Sequence, residues 1–437
     1  MKFRPKTPTF SRFWRFAAGS ELRRNIVETY GARIFAVVVA FATAVVISRA
    51  LGPAGRGFYA VAAAIAAIGV QLGSLGLNSS NIYYVAKDRA LLPALLGNTL
   101  AAGLIAVLLA VVGGVGYALW PNLAPLGGTL FLLALASVPV GLAYLLMQGL
   151  LLGVNEVRAY NLIECGGKLF ALLVICLFAA FRLNSAELFF GITLLAAVVS
   201  FLWALLRLAR VSPARPVVSL AVFRQTIGLG VKAYLILFFG FLVLRIDLLM
   251  VKYMLGATQA GYYSISQVLA ENTMMLPVVI GLLLFPKLSG LNDREGKLRL
   301  SNRAVLTTAA FMLPIVVIGA LVAAPAISIA FGRDFLPAAS PFVWLMPGTY
   351  FLAIEVVMVQ LLNSEGFPRA IVVAWIADTV LNIALNFWAI PRYGIVGASV
   401  VSSVCYFLIF VVVSAMVWKR FYKTQPAAVY VADPQPM

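Results

Sequence analysis

Apolar residues in this chain fall into runs of about 18 to 25, separated by short polar breaks. A hydrocarbon core about 30 Å thick, crossed at about 1.5 Å per helical residue, calls for runs of this length. Within such a core only helices and closed barrels satisfy their own backbone groups, and barrel strands are about half as long. The chain is therefore read as an all-α integral membrane protein. Composition agrees: 63% of the residues are hydrophobic and 11% charged, with a mean hydropathy of +1.00, far from the roughly 25% charged of a soluble domain.

The runs predict twelve helices, at 31–50, 57–77, 91–117, 129–152, 160–181, 187–208, 228–250, 262–285, 303–324, 340–363, 370–390 and 395–418. Between the second and third, Lys87, Asp88 and Arg89 must form a short polar turn. With the N-terminus in the cytoplasm, most basic residues fall on the inner side, from the Lys2–Arg24 tail to Lys419, Arg420 and Lys423. Outside fall Arg49, Arg56, Arg182, Lys252, Arg333 and Arg392. This asymmetry predicts that both termini are cytoplasmic. It also accounts for the formal charge of +18 without nucleic acid, because no basic stripe is interleaved with stacking aromatics.

There is no histidine, which excludes histidine-based triads, metal sites and proton relays. Cys165, Cys176 and Cys405 lie inside apolar runs, so no disulfide framework is expected. No metal site and no catalytic residue is assigned. The first 25 residues are basic but lack the apolar stretch of a signal peptide.

The chain repeats itself. Leu51-Gly52-x-x-x-x-Gly57-Phe58-Tyr59-x-Val61 returns as Leu255-Gly256-x-x-x-x-Gly261-Tyr262-Tyr263-x-Ile265, offset by 204 residues. Six helices per half is an even number, so both halves enter from the same side. That predicts two six-helix bundles related by a pseudo-two-fold axis along the membrane normal, an arrangement found in transporters. The expected organisation is a basic cytoplasmic segment (1–25), a first lobe (26–208), a cytoplasmic linker (209–226), a second lobe (227–420) and a disordered tail (421–437).

Certain motifs then occur in a telling order: Ser48-Arg49-Ala50-Leu51-Gly52-Pro53-x-Gly55-x-Gly57-x-Tyr59, Arg245-Ile246-Asp247, Gly261-Tyr262-Tyr263-Ser264, Phe285-Pro286-Lys287-Leu288-Ser289 and Phe331-Gly332-x-x-Phe335. In this order and spacing they resemble the polysaccharide transporter family, the oligosaccharide flippases of the multidrug/oligosaccharidyl-lipid/polysaccharide exporter superfamily. The resemblance implies a bacterial inner-membrane protein that moves undecaprenyl-diphosphate-linked oligosaccharide repeat units to the periplasmic leaflet by alternating access. Its implied partners are that glycan lipid, the membrane lipids and a polysaccharide polymerase. No cofactor is implied, and coupling to H+ or Na+ is open.

A diphosphate-sugar headgroup needs a polar, preferably cationic path, because stripped charges and hydrogen bonds cost several kcal/mol in hydrocarbon. An ionisable group at mid-span itself costs about 2.5–3.5 kcal/mol, so each needs a partner or a job. Arg33 and Lys232, on the first span of each half, are candidates to meet the diphosphate; snorkelling to the inner headgroups is the alternative. The 204-residue offset also pairs Lys232 with Glu28, which suggests a salt bridge between lobes. Lys168 is a substrate candidate too, although its i,i+4 spacing from Glu164 favours an internal ion pair. Arg245 is a further substrate candidate or an interface anchor, and it cannot pair along the helix with Asp247.

Glu271, Glu355 and Asp378 have no cation at helical spacing. Carboxylates buried without a partner can carry a proton or bind sodium, and these three are the candidates for ion coupling. Hydrogen bonding to Asn382, Asn386 or Gln360 is the alternative. Pro277, Pro314, Pro325 and Pro347 interrupt apolar runs as hinges or static kinks. Two rival functions belong to the same superfamily: cation-coupled multidrug or metabolite export and lipid II translocation. A membrane glycan polymerase or ligase would place acidic or basic groups on sizeable outer loops, and the outer loops expected here are short.

Overall fold

A computed structural model describes residues 20–121, 126–212, 214–366 and 368–423. The basic N-terminal tail up to residue 19 and the tail beyond residue 423 lie outside the described residues, as does Pro213. The described residues are helical, with no strands among them. Nine of these helices are long and apolar enough to cross a membrane, and one bent pair makes ten.

The chain divides into two compact units, residues 1–234 and 235–437. The first contains α1 (Ser20–Ser74), α2 (Leu77–Lys87), α3 (Leu92–Leu119), α4 (Gly128–Gly153), α5 (Val157–Ala180), α6 (Ala186–Val211) and the start of α7 (Leu220–Val243). The predicted spans 31–50 and 57–77 share α1, which is two helices meeting at Gly52. The expected polar turn forms where α2 ends. Asp88 accepts from the Ala90 amide at 2.9 Å, and Arg89 donates to the Val154 carbonyl at 3.0 Å.

α1 packs against α4, α5 and α6, and α4 also contacts α2 and α3. Hydrocarbon is as apolar as the helices, so close packing rather than water exclusion must hold them together. Gly149 and Gly153 supply it: a Cβ at Gly153 would collide with Val85 and the Ile82 carbonyl.

The residues expected to form a linker are tied to this unit. The Val217 amide donates to the Pro93 carbonyl at 3.1 Å, Ser80 donates to Thr226 O at 2.8 Å, and Tyr234 donates to Leu72 O at 3.0 Å. Accordingly α7 starts at Leu220 instead of 228, and the division between units falls inside this helix.

The second unit continues with α8 (Ile246–Leu255), α9 (Ala257–Thr273), α10 (Met275–Ser289), α11 (Arg294–Leu321), α12 (Ala323–Phe331), α13 (Ala339–Asn363) and α14 (Arg369–Val417). α13 is its centre, packed on α10, α11 and α14. The spans predicted at 370–390 and 395–418 share α14, broken at Gly394.

Two predicted helices are not continuous. The 228–250 span breaks between Val243 and Ile246, and the 262–285 span bends by 42° at Met274. Pro277 and Pro325 occupy the first turns of α10 and α12, where a missing amide costs nothing. Pro314 and Pro347 lie inside α11 and α13.

The sequence repeat is a backbone repeat. Gly52 has φ 66° and ψ −178°, and its counterpart Gly256 has φ 90° and ψ 176°. Only glycine adopts this region readily. Neither position is crowded, so the requirement is conformational.

Candidate functional site

In the second unit the chain unwinds at Arg245, the residue preceding α8 (φ −126°, ψ −28°). Two residues on, Asp247 is fully buried. Its carboxylate accepts from Tyr263 Oη, from Gln267 Nε2 at 2.8 Å, from Ser402 Oγ at 3.0 Å and from the Leu248 amide at 2.8 Å. Gln267 also donates to the Leu244 carbonyl at 3.1 Å, satisfying a backbone group that the helix break frees. Asp247 thereby ties together α8, α9 and α14. Two motifs that carried the family resemblance, Arg245-Ile246-Asp247 and Gly261-Tyr262-Tyr263-Ser264, meet at this carboxylate.

Arg245 itself turns to Glu271 near the end of α9. The pair is bidentate, with Nη1 to Oε1 at 2.8 Å and Nη2 to Oε2 at 2.9 Å. Glu271 had no cation at helical spacing, but the unwound turn supplies one from the neighbouring helix. The guanidinium also lies 5.8 Å from the Phe241 ring centroid. The bend at Met274 follows directly, so two backbone discontinuities flank this ion pair.

Deeper in the unit, Glu355 on α13 and Asp378 on α14 are 1% and 6% exposed. Glu355 Oε1 and Asp378 Oδ2 have no hydrogen-bond partner among the described residues. Asp378 lies within Coulombic range of Glu355 and near Cys405. Asn382 and Asn386 extend the same face of α14 at four-residue steps. Asn386 donates to Asn382 Oδ1 at 3.0 Å, leaving Asn382 Nδ2 and Asn386 Oδ1 without partners. These orphaned polar atoms form a buried stripe suited to a proton, a small cation or water. Among the described residues, no three Asp, Glu or Cys side chains converge on a common metal position.

The first unit has its own polar cluster. Lys168 pairs with Glu164 at 2.7 Å, the ion pair their spacing suggested. The same carboxylate accepts from Gln148 at 2.7 Å and Tyr144 at 3.2 Å. Arg33 is exposed and within Coulombic reach of Tyr160, one turn before Glu164. Glu28 accepts both nitrogens of Arg158 at 2.8 and 3.0 Å, so it has a partner inside its own unit. Lys232 lies on α7, and its side chain is outside the described residues.

The 204-residue offset shows that the carboxylate network belongs to one half alone. Where the second half has Arg245, Asp247, Gln267 and Glu271, the first has Phe41, Thr43, Ala63 and Ala67. Tyr59 keeps the tyrosine of Tyr263 and hydrogen-bonds Thr193 at 3.0 Å. The glycine turn repeats while the charge does not. Sequence reasoning missed Tyr263, Gln267 and Ser402. This half-to-half comparison was the signal that could have singled out Gln267.

The profile of a family described as polysaccharide biosynthesis protein matches residues 46–340. A Shigella flexneri protein named "Putative O-antigen transporter" is 24% identical over 155 residues, 35% of this chain. An uncharacterized membrane protein of Methanocaldococcus jannaschii is 27% identical over 135 residues, 30% of this chain. The matches span only 37% and 27% of those two relatives.

Among solved structures, lipid II flippase MurJ in its inward closed conformation aligns with a TM-score of 0.73 at 13% identity, covering 90% of this chain and 87% of that one. An inward-facing MATE multidrug resistance transporter of the MOP superfamily aligns at 0.69 and 13% identity, covering 88% and 94%. At such identities the likeness is one of fold.

Proposed function

The chain belongs to the polysaccharide biosynthesis protein family, and from that membership we propose that it is a flippase for undecaprenyl-diphosphate-linked oligosaccharide repeat units, carrying them from the cytoplasmic to the periplasmic leaflet of the inner membrane. The relative named for O-antigen transport supports this substrate class. The observation that carries the reading is Arg245, a guanidinium at an unwound point of a membrane-spanning segment, held by a carboxylate that an anionic headgroup can displace.

In this proposal Arg33, Lys168 and Lys232 offer further positive charge to the diphosphate during alternating access. Arg245 becomes available when its pair with Glu271 opens. Protonation or sodium binding at Glu271, Glu355 or Asp378 couples the cycle to a cation gradient. One charge moved through about 100 mV is worth about 2.3 kcal/mol, comparable with the cost of parting such a pair. The chemistry is non-covalent throughout, and a polymerase acts on the delivered units.

The orphaned carboxylates at Glu355 and Asp378 favour a second reading, cation-coupled efflux of drugs or metabolites. Sidedness of the lipid-linked glycan decides between the two. Cells depleted of the protein should accumulate complete repeat units that a periplasmic probe cannot reach. Normal sidedness with intact polymer would overturn the flippase reading in favour of efflux.

A further inference from the structure

The first unit holds a cavity of about 580 Å³ between α1, α3, α4 and the segment leading into α7. This lies within the range of pockets that accept medium-sized ligands. Its lining is apolar apart from Asn98. That amide is already engaged, donating to the Ser219 carbonyl at 3.0 Å and accepting from the Ser219 amide at 2.9 Å. The cavity therefore offers no free polar contact along its length.

Its shape is elongated. On α3 the lining residues Asn98, Ala102, Ile105, Ala106 and Leu109 follow one helix face. From Asn98 to Ala110 they cover about 18 Å at about 1.5 Å per residue. Ala101, Ala102, Ala106 and Ala110 on α3 leave room along the groove, while Gly69 and Gly73 on α1 let Val138 and Leu142 of α4 close its other wall. On α3 it begins at Asn98, nine residues beyond Arg89, and runs into the membrane-spanning part of the helix.

Two arginines flank the segment that lines its Asn98 end. The segment pinned by Asn98 sets Val218 and Leu220 at the mouth. Arg224 lies one turn after Leu220 on the same helix face, and Arg215 precedes the segment. Both are exposed and have no ion-pair partner among the described residues. An apolar channel of this length, lying along a membrane-spanning helix with cations at its headgroup end, complements an amphiphile with a long hydrocarbon chain and a phosphorylated head.

We propose that this groove holds the head-proximal part of the polyprenyl chain of the carrier lipid while the Arg215–Arg224 end engages its phosphates. The proposal rests on the flippase reading and adds to it a second, hydrocarbon-recognising site in the first unit. A methyl-branched chain suits a groove whose α3 wall steps between alanine and the larger Ile105 and Leu109, and a diphosphate suits a pair of arginines better than the single phosphate of a membrane lipid.

The test is titration of the purified full chain in detergent with a fluorescent polyprenyl diphosphate. Ala102→Phe and Ala106→Phe fill the groove and should weaken binding about ten-fold or more, corresponding to about 1.4 kcal/mol. Arg215→Glu with Arg224→Glu, both at exposed positions, should weaken the phosphorylated probe but leave neutral polyprenol binding unchanged. Excess phosphatidylglycerol should not displace the probe.

Binding indifferent to both sets of variants would overturn the proposal. Equal displacement by phosphatidylglycerol would also overturn it and assign the groove to ordinary membrane lipid. The two readings fail separately: a groove-filled variant that still delivers glycan to the periplasm removes the groove alone. A protein that binds the probe without affecting glycan sidedness removes the flippase alone.

Discussion

Arg245 grips both carboxylate oxygens of Glu271, at 2.8 and 2.9 Å, where two successive helices are each interrupted. The break at Val243–Ile246 frees the arginine from its own helix face, and the bend at Met274 ends the helix that carries the glutamate. A charged pair inside a membrane-spanning unit is thus placed at the part of the backbone least committed to one geometry.

Cutting one side of this pair leaves a half-buried charge alone. Arg245→Ala and Glu271→Gln should each lower stability by about 1–3 kcal/mol. The double variant should cost less than the sum of the singles, since neither charge is then stranded. Thermal unfolding in detergent measures the cycle, and strictly additive losses would show that the pair contributes no coupling. Both single variants should also lose glycan transport.

Asp247 accepts four hydrogen bonds, so removing one donor leaves the others in place. Tyr263→Phe should cost about 1–3 kcal/mol. Asp247→Asn should cost more, because its NH2 replaces one oxygen and then faces either the Tyr263 and Ser402 hydroxyls or the Gln267 and Leu248 N–H groups, which had donated to it. Comparison of the two unfolding midpoints checks the order.

Glu355 and Asp378 should behave oppositely. Their orphaned oxygens contribute no hydrogen bond among the described residues, so Glu355→Gln and Asp378→Asn should leave the unfolding temperature unchanged or raise it. Transport driven by a cation gradient should nevertheless fall in both. A large loss of stability would mean that these acids are structural.

The repeat glycines give a backbone test. Gly52→Ala and Gly256→Ala should each cost about 1–3 kcal/mol, because nothing crowds either site and the penalty is the positive φ. Gly31→Ala, in helical backbone with open space around it, should be neutral or slightly stabilising. Matching losses at the two repeat positions would show that the halves share the constraint.

Glu365, outside the membrane-spanning helices, accepts from Lys297 at 2.7 Å and Arg420 at 3.3 Å. The Lys297 hydrogen bond, aided by both positive charges, holds its carboxyl below the usual range. A lowered folded value adds stability above the unfolded pKa of about 4.3 and loses it as pH falls through the folded value. Glu365→Gln should therefore cost about 0.2–1 kcal/mol at neutral pH, in line with partly exposed pairs. The difference from wild type should vanish in acid, which unfolding midpoints across pH would show.

Run length, the polar corner at Lys87–Arg89, the glycine repeat and the Glu164–Lys168 pair were legible in the sequence, because each is set by residues within one or two helical turns. Helix length follows from membrane thickness, and a positive φ follows from glycine. The site was not legible. Asp247 and Ser402 are 155 residues apart, and Arg245 and Glu271 are 26 apart on separate helices. Nearly every helix here is apolar around most of its circumference, so periodicity does not reveal which face meets which neighbour. Sequence by itself determined a helical membrane protein and the repeated glycine turn at Gly52 and Gly256. Only tertiary packing decided that Glu271 has a cation and Glu28 an arginine within its own unit, while Glu355 and Asp378 each keep an oxygen without one, because partners across helices are chosen by how the helices break and pack.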